Sequence, residues 1–328
     1  MPDAAVRGRV VRRFKHYYVV ESDQHELLCS LSSKLGKELE YPEADPSSRR
    51  RRVQKVGTIT AVAPVVVGDE VLVERGAEES MIVEVAPRRT TLSREWPGRP
   101  HKEQVIAANV DQVLVVTSAR TPEFRPDLLD RFLCGAEHQE IPALVCLNKI
   151  DLGVPDDVAA MLAAYPRIGY PVVETSSLTG AGLEAFRALM RGKSSLAIGL
   201  SGVGKTSLVN ALDPALGLQV NPVNRRTGLG RHTTTNTSLV RLSDGSHIVD
   251  APGVRELGLW DSEADEIPFL FREFRPHLGS CRFGNTCSHD HEPGCAVKAA
   301  VERGQIAEHR YRSYLRVRRE IGARKPAY

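Results

Sequence analysis

Residues 199–206 read Gly199-Leu200-Ser201-Gly202-Val203-Gly204-Lys205-Thr206, with Ser207 following, and match the pattern G-x-x-x-x-G-K-[ST] in full. Such a turn binds phosphate. Glycines at 199, 202 and 204 let backbone N–H groups close around phosphoryl oxygens without a Cβ in the way. Lys205 reaches the β- and γ-phosphates, and the Thr206 hydroxyl ligates Mg²⁺. The loop follows the apolar strand ending at Ile198-Gly199 and precedes a helical stretch with Leu208 and Leu212, the context the pattern requires. A phosphate loop alone leaves ATP and GTP open. Asn148-Lys149-Ile150-Asp151 decides between them, and it sits at the C-terminal end of the apolar run 143–147, the edge where α/β sheets place ligands. The Asp151 carboxylate can accept from guanine N1–H and the exocyclic amine. Adenine offers neither donor, so the carboxylate would be left unpaired at a cost of about 1–3 kcal/mol. Asn148, Lys149 and Ile150 brace the base, and Thr175-Ser176-Ser177 fits an accessory loop behind it.

The order is informative. The guanine reader precedes the phosphate loop here, whereas an ordinary GTPase opens with the phosphate loop, so the domain is circularly permuted. Downstream, Asp250-Ala251-Pro252-Gly253 has the D-x-x-G form, in which Asp250 holds Mg²⁺ through water and the Gly253 N–H senses the γ-phosphate. Between lies Gly228 to Thr235, GLGRHTTT, from which one threonine of Thr233, Thr234 and Thr235 should coordinate Mg²⁺; Thr234 is our choice. Arg225-Arg226 and the glycines nearby imply a loop that orders on nucleotide binding. Val254 occupies the position where many GTPases carry a water-positioning glutamine, which makes His232 the local candidate for orienting the nucleophile.

Cys281, Cys287, His289 and Cys295 form C-x5-C-x-H-x5-C within fifteen residues. Three Cys and one His complete a tetrahedral zinc set with no open position, hence a structural ion. His291 competes with His289 at this stage. Cys29, Cys134 and Cys146 sit in apolar runs and read as packing residues.

Elements must position these groups. Short candidate strands at 6–11, 17–21, 26–29, 56–63 and 70–74, with a tight turn at Gly68-Asp69, suggest an OB-like β-barrel over residues 1–92. Residues 87–104 are polar and carry Pro87, Pro97, Gly98 and Pro100, the composition of a linker. From 100 to 260, apolar runs of strand length alternate with helical stretches, which argues a parallel sheet covered by helices. Residues 261–328 hold the metal set and a helical tail whose Arg310, Arg312, Arg316 and Arg319 read as a basic face. The fold class is therefore multidomain α/β: an OB-like barrel, a circularly permuted P-loop GTPase domain and a zinc-binding helical domain.

Composition excludes other classes. With 41% apolar and 26% charged residues in 328, the chain is neither disordered nor fibrous. No run approaches the ~20 apolar residues of a membrane span. The N-terminus lacks a signal-peptide stretch, so a cytoplasmic protein is expected; a monomer with no membrane partner is expected besides. Residues 1–60 carry 12 Lys/Arg against 8 Asp/Glu, and residues 301–328 carry 8 against 3, around an acidic centre. Basic ends suit contact with a polyanion. Four consecutive arginines, Arg49 to Arg52, lie in a Pro/Ser-rich insert suited to phosphate contact.

Taken together, NKID, SSL, GLSGVGKTS, GLGRHTTT and DAPG in this order, with the Cys/His set, resemble the circularly permuted GTPases, and among them the small-subunit-dependent maturation factors of the bacterial ribosome. The resemblance spans the whole chain. It implies GTP hydrolysis to GDP stimulated by the small ribosomal subunit, rRNA contacts by the flanking domains, and His232 as the catalytic residue. The first gap of the metal set is one residue longer than the family pattern, and the arginine insert is unusual. The competing reading is an RNA-binding scaffold that binds nucleotide with little turnover; an ATPase is a third.

Overall fold

A computed structural model of the chain describes residues 5–23, 25–32, 35, 65–76, 79–96, 99–218, 237–250, 259 and 262–323. The described residues divide into two compact units. The first draws on Met1–Val110, Thr233–Arg241 and Ile248–Pro252, the second on Asp111–His232, Leu242–His247 and Gly253–Tyr328.

The first unit is built on β1 (Val6–Arg13), β2 (Tyr18–Ser22), β3 (His25–Leu31), β4 (Glu70–Glu74) and β5 (Ser80–Val85). β1 runs antiparallel to both β2 and β4, β2 antiparallel to β3, β3 parallel to β5, and β5 antiparallel to β4. Following these pairings returns to the starting strand, so the five close into a barrel. Val10, Tyr18, Val20, Cys29, Val71, Val73 and Ile82 fill it. Burial pushes the Cys29 thiol up to about 11, with Glu79 adding to the shift, which suits a packing role. A Cβ on Gly8 would lie 2.4 Å from Val20 Cγ1 and 2.7 Å from the Glu21 carbonyl oxygen, so the close approach of β1 to β2 requires glycine there.

Two expectations change in this unit. The run 56–63 lies outside the described residues, and the fifth barrel strand is β5, which sequence reading passed over. The stretch 87–104 is not a linker: β6 (Thr91–Trp96) pairs antiparallel with β7 (Arg99–Ala108). Its polarity misled because burial among its described side chains is confined to Leu92, Ser93, Val105, Ala107 and Ala108, while Arg94 Nε donates across the pair to Gln104 Oε1 at 3.0 Å. The turn at Gly68-Asp69 is present. Gly68 has φ +92°, and fully buried Asp69 accepts from Val66 N (2.8 Å) and from Arg88 Nε (2.7 Å).

The second unit carries β8 (Gln112–Ser118), α1 (Pro126–His138), β9 (Ala143–Asn148), α2 (Asp156–Leu162), α3 (Ala164–Arg167), β10 (Val172–Glu174), α4 (Leu183–Met190), β11 (Ser194–Ile198) and α5 (Lys205–Leu212). Its four strands are ordered β10-β9-β8-β11 and all run parallel. β9 is buried at every residue and β8 at all but one, the pattern of strands covered on both faces. β12 (Ser238–Arg241) and β13 (His247–Asp250) follow in the chain, and all but His247 of these two strands belong to the first unit. The C-terminal region adds 3₁₀ turns at Ile267–Leu270 and Arg272–His277, then α6 (Ala296–Glu302) and α7 (Glu308–Gly322). Its core of Phe271, Phe274, Val297, Ile306 and Tyr314 also takes in Cys134 from α1.

The tail is helical as expected, and Arg312, Arg316 and Arg319 are exposed on α7. Arg310 is not on that face. Its side chain is 1% exposed, donating from Nη1 to buried Asp130 Oδ1 of α1 (2.6 Å) and from Nε to Glu273 Oε1 (2.6 Å). Tyr165 OH donates to the same Asp130 oxygen at 2.8 Å. Burial opposes the Arg310 charge, but the two carboxylates outweigh it and hold the guanidinium protonated. Removing a partner from such a cluster strands the remaining charges. Arg310→Ala is expected to cost about 3–5 kcal/mol in urea unfolding, whereas exposed Arg312→Ala should shift stability by less than about 1 kcal/mol.

Candidate active site and metal centre

Because β9 and β11 both run parallel to β8 on either side of it, the loops leaving their C-terminal ends open on one edge of the sheet. The segment Asn148–Asp151 starts at the last residue of β9 and the glycine-rich loop Gly199–Thr206 follows β11, so the fold brings together two segments far apart in sequence. Asn148 joins them. Fully buried, it donates from Nδ2 to the Val203 carbonyl at 2.9 Å. Its Oδ1 accepts from Thr175 Oγ1 (3.3 Å) and Ser177 N (3.2 Å). Lys149 adds a second tie: its Nζ donates to the Gly202 carbonyl at 2.6 Å and to the Thr121 carbonyl at 2.7 Å. Burial lowers the Lys149 ammonium from its ordinary value against the pull of Asp151.

The phosphate loop has the backbone its glycines permit. Gly199, Gly202 and Gly204 have φ of +144°, +86° and +95°. A Cβ at Gly199 would meet the Val116 carbonyl oxygen at 2.1 Å, and one at Gly204 would meet Asn148 Nδ2 at 2.4 Å. Between them Val203, 1% exposed, pins the loop to the core. Lys205 Nζ reaches back over the loop to the carbonyls of Gly199 (2.9 Å) and Leu200 (3.0 Å). Half-buried Thr206 and Ser207 occupy the first turn of α5, where helix N–H groups and the macrodipole favour an anion.

Asp151 lies exposed in the 3₁₀ turn Ile150–Leu152. Fully buried Ser176 donates from Oγ to Asp151 Oδ1 at 2.5 Å, orienting the carboxylate, and accepts from Thr179 N at 3.1 Å. Ile150 N donates to the Thr175 carbonyl at 3.2 Å, seating the turn. Thr121 was not foreseen, since its contribution is a backbone carbonyl, which side-chain identity does not signal. Asp250 is exposed at the end of β13. His232, Thr233, Thr234, Thr235, Arg225, Arg226, Gly253 and Val254 lie outside the described residues, as do Arg49 to Arg52.

The geometry at Gly204 gives a direct test. Gly204→Ala would combine positive-φ strain, about 1–3 kcal/mol, with a collision at the Asn148 amide. Nucleotide affinity measured by titration calorimetry is expected to fall at least about tenfold, with the far-ultraviolet circular dichroism of the fold retained.

In the C-terminal region Cys281, Cys287, His289 and Cys295 are all buried, and their ligand atoms lie within 4.8 Å of one another. Cys281 Sγ is 3.9 Å from Cys295 Sγ, and His289 Nδ1 is 3.5 Å and 3.4 Å from these two sulfurs. A tetrahedral ion with metal–sulfur bonds of about 2.3 Å requires edges of roughly 3.8 Å and 3.5 Å, so the donor set fits a metal. His289 rather than exposed His291 completes it, aided by a left-handed backbone at φ +55°. Backbone donors already face the sulfurs: Ala296 N to Cys281 Sγ (3.3 Å) and Lys298 N to Cys295 Sγ (3.5 Å). Burial pushes the Cys287 thiol up to about 12, so the thiolate needs a compensating cation. Burial also lowers His289, keeping the imidazole neutral and able to ligate. Two tyrosines of α7 hold the loop, Tyr311 OH on the His289 carbonyl (2.8 Å) and Tyr314 OH on that of Ser288 (2.6 Å). Among the described residues no helix is long and apolar enough to cross a membrane.

Known proteins share this arrangement. The family model described as RsgA GTPase matches residues 85–260. A protein of Gemmatimonas aurantiaca named "Small ribosomal subunit biogenesis GTPase RsgA" is 45% identical over 261 residues, 79% of this chain and 85% of the relative. A Shewanella oneidensis protein of the same name is 42% identical over 295 residues, 87% and 81% of the two chains. The crystal structure of YjeQ from Thermotoga maritima superposes with a TM-score of 0.74 at 32% identity, covering 98% of this chain and all of the other. That of YloQ, described as a circularly permuted GTPase, gives 0.68 at 29% identity, covering 99% and 98%. The chain belongs to the RsgA GTPase family and is a GTP hydrolase whose motifs run in circularly permuted order.

Proposed function

We propose that this GTPase assists late maturation of the small ribosomal subunit, binding the subunit and hydrolysing GTP to GDP and phosphate with stimulation by it. The relatives' shared name, "Small ribosomal subunit biogenesis GTPase", supplies the partner. The observation that carries the chemistry is the Asn148 tie to Val203, which joins a base-reading turn to a phosphate loop in one site. In this reading Asp151 accepts from guanine, Ser176 and Ser177 back the base, and Asn148, Lys149 and Ile150 brace it. Residues Gly199 to Ser207 wrap the phosphates, with Lys205 offsetting charge that develops on the β,γ-bridge. Thr206, Thr234 and Asp250 would hold the magnesium ion that accompanies the nucleotide, which would supply charge neutralisation. Gly253 senses the γ-phosphate. With Val254 in place of a glutamine, His232 orients the attacking water and takes its proton.

The flanking parts, a barrel over 1–92 and a metal-bearing region over 261–328 around a GTPase domain over 100–260, contact rRNA. The closed barrel and the exposed arginines of α7 support this. The metal is one zinc ion, because three thiolates and one imidazole at tetrahedral spacing suit zinc. The protein works as a cytoplasmic monomer.

A GTPase assay with and without small subunits tests the main claim: a large stimulation is expected, and its absence alongside tight RNA binding would leave a scaffold. His232→Ala should lower turnover about 10²–10⁴-fold while GDP affinity stays unchanged. Elemental analysis should find one zinc per chain. Cys281→Ser should abolish the zinc and lower the thermal midpoint of the C-terminal region, with GTP binding retained.

A further inference from the structure

The loop between β8 and α1 carries none of the recognised motifs, yet it touches the base-reading turn at two points. Lys149 Nζ donates to the Thr121 carbonyl at 2.7 Å, and Arg120 Nε donates to the Gly153 carbonyl at 3.0 Å. The two contacts straddle Asp151, one held by the residue two before it and one by the residue two after. A Cβ built on Gly153 would lie 3.8 Å from both Nε and Nη2 of Arg120, so the guanidinium lies directly over that residue. The loop is itself anchored: buried Ser118 donates from Oγ to the Pro122 carbonyl at 2.6 Å.

The turn it touches has little support of its own. Lys149 holds a left-handed backbone at φ +66°, which disfavours a residue with a Cβ, and Gly153 exits at φ +80°. Only single-turn bonds, Leu152 N to Lys149 O (3.1 Å) and Gly153 N to Ile150 O (2.9 Å), close the 3₁₀ segment. So short a helical nucleus does not hold its conformation unaided. Ser176 orients the Asp151 carboxylate at one oxygen and Ile150 N holds the start of the turn on the Thr175 carbonyl (3.2 Å), while the Gly153 end is held by Arg120.

We propose that Arg120 is a positioning residue for guanine selection. Its hydrogen bond to Gly153 keeps the 3₁₀ turn at the angle from which Asp151 accepts from both N1–H and the exocyclic amine of the base. The inference rests on the reading of Asp151 as the base acceptor. Without Arg120 the turn swings about its Lys149 end, and the paired contact to the purine edge loosens. The phosphate loop is tied by Asn148 at Val203 and by Lys149 at Gly202, bonds that Arg120 does not make, so the chemical step is untouched. The loss falls on nucleotide affinity and base discrimination.

Steady-state hydrolysis by the full-length protein, with GTP and with ITP, tests this, because inosine lacks the exocyclic amine. Wild type is expected to have the lower KM for GTP. Arg120→Ala, at an exposed position, should raise KM for GTP about two- to tenfold, the worth of one hydrogen bond. Its kcat should hold, and its GTP/ITP preference should narrow, since ITP has less to lose. Arg120→Lys, whose ammonium can donate to the same carbonyl, should restore most of the preference. An Arg120→Ala enzyme with unchanged KM and unchanged preference overturns the proposal. So does a fall in kcat with the preference intact, which marks general damage. If wild type itself treats GTP and ITP alike, the assignment of Asp151 fails and the brace fails with it.

Discussion

The site hangs on one side-chain amide. Asn148 closes β9 with its Nδ2 on the Val203 carbonyl and its Oδ1 on Thr175 and Ser177. It therefore touches the glycine-rich loop and the Thr175–Ser177 segment at once. An amide alone offers donor and acceptor on opposite sides of a short rigid stem, so neither Asp nor Leu could replace it. It is fully buried, and a lost partner would leave a polar group without water. The glycine at 204 follows from the same constraint, because its missing Cβ is the space the amide occupies. What the chain order separates, this contact reunites.

The chemistry of the site was legible in sequence where it depended on side-chain type at fixed spacing. The phosphate loop, NKID and the Cys/His set each lie within a few residues and carry their own local context. Legibility failed where long-range pairing decides. Arg310 matches the helical spacing of a solvated basic face, and nothing local reveals that Asp130, 180 residues earlier, claims it. β5, with Met81 exposed and Glu84 on its open side, offered too weak an alternation to stand out. The β6–β7 pair was masked by its prolines and charges, since among its described side chains burial is confined to Leu92, Ser93, Val105, Ala107 and Ala108. The choice between His289 and His291 was a backbone matter, resolved by the turn that points one ring at the sulfurs.

The C-terminal region is fastened to α1 at two levels. Asp130 takes Arg310, and two helical turns later Glu137 accepts from Arg272 Nε (2.8 Å), Arg275 Nη2 (2.6 Å) and Tyr170 OH (3.1 Å). Seven residues apart, both carboxylates lie on one stripe of the helix. Apolar packing of Phe271, Phe274 and Tyr314 surrounds the charges, so the attachment combines burial with fixed geometry rather than a loose electrostatic contact. The metal loop gains from the same helix, since α7 supplies Arg310 to α1 and Tyr311 and Tyr314 to the carbonyls beside His289. Ion site and nucleotide-bearing sheet thus share one rigid strut.

Strand order also governs how the chain assembles while it is made. β8, β9 and β10 are neighbours both in sequence and in the sheet, whereas β11 returns to the far side of β8. During synthesis the half formed by β8, β9 and β10 can close on itself first. The outer edge of β8 then keeps its backbone donors and acceptors unmatched until residues 194–198 emerge. A nascent chain at that stage has the Asn148 amide at the end of β9 but not yet the Val203 carbonyl to which it donates.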